Sequence, residues 1–529
     1  MPARRRFAGS FAAPRGPAAR GPAATLAVTL LVAAIVASAA FAPAAFAATL
    51  IRNVRVIDGT GSPARAADVR IEGGRIAAVG TLPPTPADVV VDGGGLVLAP
   101  GFIDTHSHAD GELFEHRDAL AAVSQGITTV VVGQDGDAPM PLADFFARVA
   151  REPATVNVAS YAGHGTIREK VMGEDFRRVA TKGEVKAMKK LLDVEMQSGA
   201  LGLASGLEYD PGIYASRDEM IDLARVAAKR HGRYISHIRS EDRDFWEAIE
   251  EIINIGREAK LPVQVSHMKL AMTSWWGQTD RLLNRLDQAR ADGVTISADI
   301  YPYLYWHSTL TVLFPKRDFE DLAEARLVVQ QIVPPDGLLL TQYDPEPAWA
   351  GRTLASIAAE RNEEPAVTLI ELLRRAEARR KEKGDAGEAI IGTSMTEADF
   401  EKLFAWHESN VCTDGSLDGS HPRGFGTYPR VLGRYVRERK VMTLEGAVRR
   451  MSGLAAAHMG FTDRGLIKPG QAADLVLFDP ATVIDRATIE APHAVSEGIA
   501  KVWVAGELVY AGGAVTDKRP GVAIRRAGK

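Results

Sequence analysis

One pattern repeats through the middle of the sequence: a short apolar strand, a polar loop and an amphipathic helix. Stretches such as "KGEVKAMKKLLDVEMQSG" have the periodicity of a helix, and the apolar runs between them have that of strands. Eight such units predict an α/β fold, a (β/α)8 TIM barrel, with reactive groups where the strands end. A doubly wound sheet would instead need fewer strands and a glycine-rich phosphate loop. The eight segments are "GFIDTHSH", "GITTVVVGQD", "ATVNVASYAGHG", "GALGLASGL", "RYISHIRS", "PVQVSHMK", "VTISADIYPY" and "SNVCTDGS".

The two ends of the mature chain have a different pattern. Residues 48–100 and 465–529 contain short alternating strands separated by glycine-rich turns, as in "TLIRNVRVIDGTG" and "GIAKVWVAGELVYAGGAV". They predict a small β-sandwich domain built from both chain ends, beside a barrel of residues 101–464. Between the last two barrel strands, residues 306–408 are too many for a single helix. An insertion at this rim is typical of a lid or a specificity element.

Histidine and aspartate residues stand where several predicted strands end. His106 and His108 are two residues apart at the end of the first strand, so both imidazoles face the same side. His237 and His267 end the fifth and sixth strands in matching "S-H" frames, and Asp414 ends the eighth. Four histidines and one aspartate at one rim predict a site that binds Zn²⁺ and activates water.

Motifs spread over residues 49–515 resemble those of the amidohydrolase superfamily and, more narrowly, the D-aminoacylase (N-acyl-D-amino-acid deacylase) family. The resemblance covers nearly the whole mature chain and agrees with the barrel and sandwich above. The runs that carry it are "GFIDTHSHAD", "TTVVVGQDG", "GHGTIREKVMG", "SHIRSE", "SHMK", "TDGSLDGSHPRGFGTYPRVLGRYVRE" and "DLVLFDPATVIDRATIEAPHAVSEGI".

The resemblance also implies roles for individual residues. It implies one tightly bound Zn²⁺ on His237 and His267, and a second, weaker metal position on His106 and His108. Asp414 matches the catalytic acid and base, and Lys269 matches a residue that binds the substrate carboxylate. Tyr301, and Ser308 or Thr309, match positions that contact the substrate. His164 ends the third predicted strand, where it either reaches the substrate or is tied to its own loop.

The chain departs from the family at the end of the second strand. Where the family has a metal-binding cysteine, this sequence reads Gly-Gln-Asp-Gly, with Asp135 at the cysteine position. Nor does the fourth strand offer a lysine for a carboxylated metal bridge, and its nearest carboxylate is Glu208. Asp135 is therefore our candidate for the missing metal ligand, and a carboxylate is a harder ligand than a thiolate. The alternative is that Asp135 is an ordinary turn residue before a glycine.

The first 47 residues have the composition of an export signal. Arginines near the start precede an apolar stretch, "ATLAVTLLVAAIVASAAFA", and small residues then form an A-x-A site ending at Ala47. We expect a signal peptide of residues 1–47 and a periplasmic or secreted protein without a membrane anchor; an uncleaved transmembrane anchor is the alternative. The single cysteine, Cys412, excludes an internal disulfide.

The predicted function is zinc-dependent hydrolysis of N-acyl amino acids, with the D-series implied by the resemblance. A dipeptidase or a cyclic-amide hydrolase of the same superfamily is the first alternative, although the missing fourth-strand lysine counts against the latter. An exported binding protein without activity is the second, and the retained histidines count against it. The partner is a small molecule with a free carboxylate. A net charge of −4 without a basic stripe argues against nucleic acid.

Overall fold

The computed structural model describes residues 48–526, so the predicted signal peptide lies outside the described residues. Within that range the strands are β1 (Ala48–Val56), β2 (Arg65–Glu72), β3 (Arg75–Gly80), β4 (Asp88–Asp92), β5 (Val97–Pro100), β6 (Phe102–Asp104), β7 (Ile127–Val132), β8 (Asn157–Ser160), β9 (Ala162–Gly163), β10 (Gly202–Gly206), β11 (Arg233–His237), β12 (Val263–Val265), β13 (Ile296–Ile300), β14 (Tyr305–Ser308), β15 (Leu338–Tyr343), β16 (Glu388–Thr393), β17 (Ser409–Val411), β18 (Leu475–Phe478), β19 (Ile499–Val504), β20 (Glu507–Ala511) and β21 (Ala514–Val515).

The α-helices in the same range lie mostly between the parallel strands. They are α1 (Leu120–Val123), α2 (Leu142–Arg151), α3 (His164–Met172), α4 (Lys182–Ser198), α5 (Arg217–Lys229), α6 (Phe245–Ala259), α7 (Thr279–Ala291), α8 (Leu322–Leu327), α9 (Leu354–Arg361), α10 (Pro365–Lys383), α11 (Glu397–Ala405), α12 (Arg423–Arg430), α13 (Leu444–Met451) and α14 (Gly453–Met459). Capping side chains stabilise the N-termini of several helices. Thr181 and Glu184 form a capping box at α4, and Ser216 caps α5.

Each of the eight predicted strand segments contains a strand, and these strands pair in parallel and in chain order. One sheet has the order β6-β7-β8, and a second has the order β9-β10-β11-β12-β13-β17. Only Tyr161 separates β8 from β9, so the two sheets share the third predicted segment. All six residues of β7 are buried and most are β-branched, as expected for a strand covered on both faces. The predicted α/β class is confirmed.

The two chain ends combine in one further sheet. Among the described residues it has nine strands, in the order β21-β20-β19-β18-β5-β1-β2-β3, with β4 also paired to β1. β18 from the C-terminal part pairs antiparallel with β5 from the N-terminal part. Ile51, Val69, Leu477 and Trp503 are buried in one core. Strands from both chain ends therefore combine in one β-sheet.

The insertion before β17 is a folded unit with its own core. β14, β16 and β15 form an antiparallel sheet in that order, and α8, α9 and α10 accompany it. Leu340, Ile390, Leu369 and Leu373 are fully buried in a core distinct from that of the parallel sheets. The segment therefore has a fixed shape, and its first strand begins five residues after β13 ends.

The end of the chain returns to the third parallel strand. The Ile524 N–H donates to the Val158 carbonyl at 2.7 Å, and the Val158 N–H donates to the Val522 carbonyl at 2.9 Å. The Gly521 N–H donates to the Ala154 carbonyl at 2.9 Å. These last described residues thus form part of the parallel-sheet domain. No helix within residues 48–526 has the length and apolarity to cross a membrane.

Candidate active site

Histidine and aspartate side chains converge where the parallel strands end. His106 Nε2 lies 3.5 Å from Asp135 Oδ1 and 3.4 Å from Asp414 Oδ1. His108 Nε2 lies 3.4 Å from Asp135 Oδ2 and 3.2 Å from Asp414 Oδ1. His267 Nε2 is 3.7 Å from Asp135 Oδ1. Five residues from four separate strand ends therefore meet around the carboxylate of Asp135.

Three of these residues have a left-handed backbone. The φ angles are +51° at Asp135, +32° at His267 and +49° at Asp414, a region that costs a non-glycine residue about 1–3 kcal/mol. Hydrogen bonds fix two of these turns: the Asp414 N–H donates to the His106 carbonyl at 2.9 Å, and the His267 N–H donates to Asp299 Oδ1 at 2.6 Å. The sharp turn after each strand brings the side chain into the group.

Several buried polar atoms in this group lack a partner. His106 is fully buried, yet neither ring nitrogen is hydrogen-bonded to any described residue, and the same is true of Asp135 Oδ1. An unpaired buried polar group costs about 1–3 kcal/mol, so an uncompensated cluster of them is rare. Imidazole nitrogens and carboxylate oxygens are ligands of Zn²⁺. The residues present therefore fit a metal centre.

A second group of metal-binding side chains adjoins the first. His237 Nδ1 lies 3.1 Å from His267 Nε2, and His267 Nδ1 lies 2.9 Å from Glu241 Oε1. The other ring nitrogen of His237, Nε2, is 2.7 Å from Glu208 Oε2. A carboxylate in this position fixes the tautomer and the orientation of an imidazole. Because His267 belongs to both groups, the two groups lie side by side.

The carboxyl group of Asp414 is deprotonated, as a base must be. Burial raises the pKa of its carboxyl group, but the Arg423 guanidinium and the His267 and His106 imidazoles outweigh burial and hold this pKa well below its ordinary value. Arg423 Nη1 donates to Asp414 Oδ2 at 2.6 Å. Asp414 is therefore a carboxylate at neutral pH and can accept a proton.

Lys269 places a positive charge beside the same group. Its ammonium group is buried and donates to Glu241 Oε1 at 2.6 Å and Oε2 at 2.8 Å. Burial lowers the pKa of Lys269, but the carboxylate of Glu241 outweighs burial, and the pKa rises to about 12. The side chain is thus charged at neutral pH.

An inner cavity of about 40 Å³ adjoins both groups. Lys269 and Tyr301 line its polar end, and the Tyr301 hydroxyl has no hydrogen-bond partner among the described residues, so it can bind a ligand. The insertion supplies other parts of the wall, including His307 and Ser308.

A second space of about 440 Å³, here called the outer cleft, also borders Asp414. His108 and Asp135 line this outer cleft but not the inner cavity, whereas Lys269 lines only the inner cavity. Four side chains line both spaces: Tyr209, His307, Asp414 and Arg423. The candidate base therefore lies at the boundary between two compartments.

Most residues predicted from the sequence meet here. They are His106, His108, Asp135, His237, His267, Lys269, Tyr301, Ser308 and Asp414. Thr309 does not line either space, and its hydroxyl lies 2.9 Å from the Thr311 hydroxyl. The placement of His164 also needs correction. It begins α3, is fully buried and pairs at 2.9 Å with Glu219 of α5, and it lines neither the inner cavity nor the outer cleft.

Glu241 and Arg423 are site residues that the sequence analysis did not identify. Both lie in runs that carry the resemblance, "SHIRSE" and "HPRGFG", four residues beyond His237 and nine beyond Asp414. Glu241 pairs with Lys269 and Arg423 pairs with Asp414. A charged residue shortly after such a ligand is the signal that would have found them.

Parallel strands that end in a histidine and aspartate group beside a cavity define a class, the metal-dependent enzymes that activate water. A family model described as "Amidohydrolase family" matches residues 89–406 and 416–510. The chain belongs to the amidohydrolase family and, within it, to the D-aminoacylase group, as the sequence resemblance predicted.

Characterised relatives match over nearly their whole lengths. An N-acyl-D-glutamate deacylase of Alcaligenes xylosoxydans xylosoxydans is 38% identical over 89% of this chain and 95% of its own. A D-aminoacylase of the same organism is 36% identical over 90% and 97%. The crystal structure of the N-acyl-D-glutamate deacylase from Bordetella bronchiseptica, with zinc and a phosphonate mimic of the tetrahedral intermediate, superposes with a TM-score of 0.80 at 37% identity. It covers 90% of this chain and 99% of its own.

Proposed function

We propose that this protein is a zinc-dependent hydrolase that removes the acyl group from N-acyl-D-amino acids. The observation that carries the proposal is the carboxyl group of Asp414 within 3.4 Å of two histidines whose group fits a metal, beside a cavity that Lys269 lines. The deacylases among its relatives support both the amide bond and the D-configuration.

The metal site in this proposal uses both ligand groups. His237 and His267 hold a tightly bound Zn²⁺, and His106 and His108 provide a second position. Asp135 lies within 3.7 Å of three of these imidazoles and replaces the cysteine of the family as their negative counter-charge. When bound, zinc supplies Lewis-acid polarisation of the scissile carbonyl and lowers the pKa of water.

The side chains of the protein carry out the proton transfers and the positioning. Asp414 accepts a proton from the attacking water as the new C–O bond forms. The same carboxyl group then returns the proton to the amine nitrogen as the C–N bond breaks, which releases a carboxylic acid and a free amino acid. Lys269 binds the substrate α-carboxylate and so fixes the distance of the amide from Asp414. Tyr301 and Ser308 complete the contacts to the substrate.

We further propose a closed barrel and a β-sandwich. The two parallel sheets close into one (β/α)8 barrel of residues 101–464, and the shared sheet, whose strands lie within residues 48–100 and 475–515, folds over itself as a sandwich. Two hydrogen bonds support closure: Asp414 N–H to the His106 carbonyl, and Leu201 N–H to the Ser160 carbonyl, both 2.9 Å. The relative with a TM-score of 0.80 supports the same arrangement.

We also propose that the protein is exported and that residues 1–47 are removed. The arginine cluster, the apolar stretch and the A-x-A site before Ala48 support this. N-terminal sequencing of protein recovered from the periplasm or the medium tests it. A mature protein that begins near Ala48 is expected, and one that retains Met1 would contradict it.

One experiment tests the activity directly. The purified enzyme is analysed for metal by mass spectrometry and assayed with paired N-acetyl-D- and N-acetyl-L-amino acids. We expect at least one zinc per chain and hydrolysis of the D-compounds in large excess over the L-compounds. A metal-free protein, or equal rates on both enantiomers, would overturn the proposal.

A further inference from the structure

A buried carboxyl group that takes no part in the proposed proton transfers lies beside the metal-binding histidines. It belongs to Asp299, the fourth residue of β13, whose side chain is fully buried. Asp299 lines neither the inner cavity nor the outer cleft, so it does not contact a substrate bound in either space. A buried carboxylate is costly unless its neighbours hydrogen-bond to it, so its contacts define its role.

One carboxyl oxygen of Asp299 faces two of the histidines. Oδ1 accepts the His267 N–H at 2.6 Å, at a residue whose φ is +32°. The same oxygen lies 3.9 Å from His106 Nδ1, which has no hydrogen-bond partner among the described residues. The other ring nitrogen of His106, Nε2, lies 3.5 Å from Asp135 and 3.4 Å from Asp414, within the metal-binding group. Nδ1 is therefore the nitrogen of His106 that is left for a partner outside that group.

A buried polar chain holds the other oxygen of Asp299. Gln264 Nε2 donates to Asp299 Oδ2 at 2.5 Å. The carbonyl oxygen of the same amide accepts from Asn410 Nδ2 and from the Ser297 hydroxyl, both at 3.2 Å. The Cys412 thiol donates to Asp299 Oδ1 at 3.1 Å. The groups that contact the carboxyl oxygens here are all donors, which suits a carboxylate because it only accepts. Asp299 is thus held in place without help from a histidine ring.

Two other histidines of the site already have a carboxylate behind the ring. The outward ring nitrogens of the second group lie within 2.9 Å of Glu208 or Glu241. A carboxylate in this position fixes the tautomer and the orientation of a metal-binding imidazole. Asp299 occupies the corresponding position behind His106, where a movement of about 1 Å would bring the two atoms into hydrogen-bond range.

We propose that Asp299 is a positioning residue of the metal centre. It orients His106 so that Nε2 faces the metal, and it fixes the backbone turn that presents His267. One buried carboxylate thereby sets the positions of two ligands that come from different strands. The inference rests on the proposed function, because it requires a metal at these histidines.

Asp299→Asn tests this role in the cobalt-substituted holoenzyme. An amide has one acceptor oxygen where a carboxylate has two, so it cannot serve both the histidine side and Gln264. We expect the affinity for Co²⁺, measured by competition with a chelator, to fall about 10–100-fold, and the visible absorption spectrum of bound Co²⁺ to change. With D-amide substrates kcat should fall while KM stays near its native value, because Asp299 does not touch the substrate.

Native Co²⁺ affinity together with a native spectrum in folded Asp299→Asn would overturn the inference and leave the proposed function intact. Failure of the native protein to bind Co²⁺ or Zn²⁺ would instead count against the proposed function itself. Ser409→Ala is the matched control: this fully buried serine lies on the neighbouring strand β17 and donates to the Leu403 carbonyl at 3.0 Å. The control should melt at a lower temperature than the native protein but keep the native Co²⁺ affinity and spectrum.

Gln264→Met provides a second variant in case Asp299→Asn does not fold. It removes the donor to Asp299 Oδ2, and Gln264 makes no hydrogen bond to a histidine within residues 48–526. We expect a change in the Co²⁺ spectrum in the same direction as for Asp299→Asn, because the carboxylate loses one of its supports. A native spectrum in folded Gln264→Met, without a folded Asp299→Asn to set against it, would overturn the inference.

Discussion

At the residue scale, the reactive groups occupy backbone conformations that side chains ordinarily avoid. Asp135, His267 and Asp414 all have positive φ, and each follows the end of a parallel strand. The conformation persists because hydrogen bonds such as that from His267 N–H to Asp299 fix the turn. Such turns allow the carboxylates and imidazoles of distant strands to approach within 3.7 Å.

Asp414→Asn tests the acid–base role. Asparagine keeps the size and tolerates the left-handed backbone but cannot accept the proton, so we expect kcat to fall by about 10²–10⁴-fold. Zinc content should stay at the native level, as measured by mass spectrometry. Asp418→Asn, an exposed aspartate in the same loop, is the control and should retain native kcat. A fully active Asp414→Asn enzyme would remove Asp414 from the mechanism.

Asp135→Asn tests the metal-ligand role. Burial raises the pKa of Asp135, but the imidazoles of His106, His108 and His267 outweigh burial and hold this pKa well below its ordinary value, so the side chain carries a charge. Loss of that charge should weaken zinc binding by at least about tenfold in competition with a chelator. Asp137→Asn, two residues on and exposed, should bind zinc normally. Native zinc affinity in Asp135→Asn would make Asp135 an ordinary turn residue.

Most of this site could be predicted from the sequence, because the carboxyl ends of parallel strands meet at the same edge of a sheet. That reasoning places His106, His267 and Asp414 together. The same strand-end reasoning misplaced His164. The chain enters α3 at that residue, so its imidazole lies beside Glu219. Strand-end reasoning also missed the pairing of Lys269 with Glu241, which depends on how two loops approach in space.

At the element scale, a buried glutamate of the insertion is hydrogen-bonded to the turn that lines the inner cavity. Glu388 on β16 accepts the Leu310 N–H through both carboxyl oxygens at 3.0 Å, at the start of the turn that carries Val312 and Leu313. Burial raises the pKa of Glu388 from 4.5 to about 7. The neutral form is therefore favoured in the folded protein, and ionisation opposes folding of the insertion.

Glu388→Gln tests this effect on stability. The folded protein binds the Glu388 proton more tightly than the unfolded chain, so the free energy of unfolding falls as pH rises from about 4.5 to about 7. Glutamine cannot ionise, so we expect the variant to gain up to about 3 kcal/mol over the native protein at pH 8 and much less at pH 5. Thermal unfolding at both pH values measures the difference.

Glu382→Gln, at an exposed position of α10, is the control for that measurement. It should shift the melting temperature little at either pH. Equal melting temperatures for Glu388→Gln and the native protein at pH 8 would show that the Glu388 carboxylate is accommodated at no cost.

The position of the insertion could be predicted, whereas its fold could not. The interval of residues 306–408 was too long for one helix, which identified the insertion. β14 and β15 both pair with β16, which joins residues 45 to 88 positions apart, and this order depends on non-local contacts that no local pattern contains. The final stretch of that interval proved to be α11, the helix that leads into β17.

At the scale of the whole molecule, the C-terminal segment is part of the parallel-sheet domain. A β-carbon added at Gly521 would collide with the carbonyl oxygens of Val156 and Ala154, beside the hydrogen bond to Ala154. We expect Gly521→Ala to lower the free energy of unfolding by about 1–3 kcal/mol through displacement of this segment, with every site residue unchanged. Gly183→Ala, in open space on α4, should instead be neutral or stabilising.

Thermal melting of both variants measures this difference. A melting temperature for Gly521→Ala equal to that of Gly183→Ala would show that the segment contributes little to stability. The sequence indicated that both chain ends build one β domain, but residues 521–526 carry no strand pattern that would assign them to the third parallel strand.

The pairing of Val522 and Ile524 with Val158 has a consequence for synthesis. A ribosome that adds roughly 5–20 residues per second needs about half a minute to two minutes for a chain of this length. The segment that completes the third strand is synthesised about 110 residues after Asp414, the last of the proposed catalytic and metal-binding residues. The third strand therefore acquires this partner only after every catalytic side chain has been made.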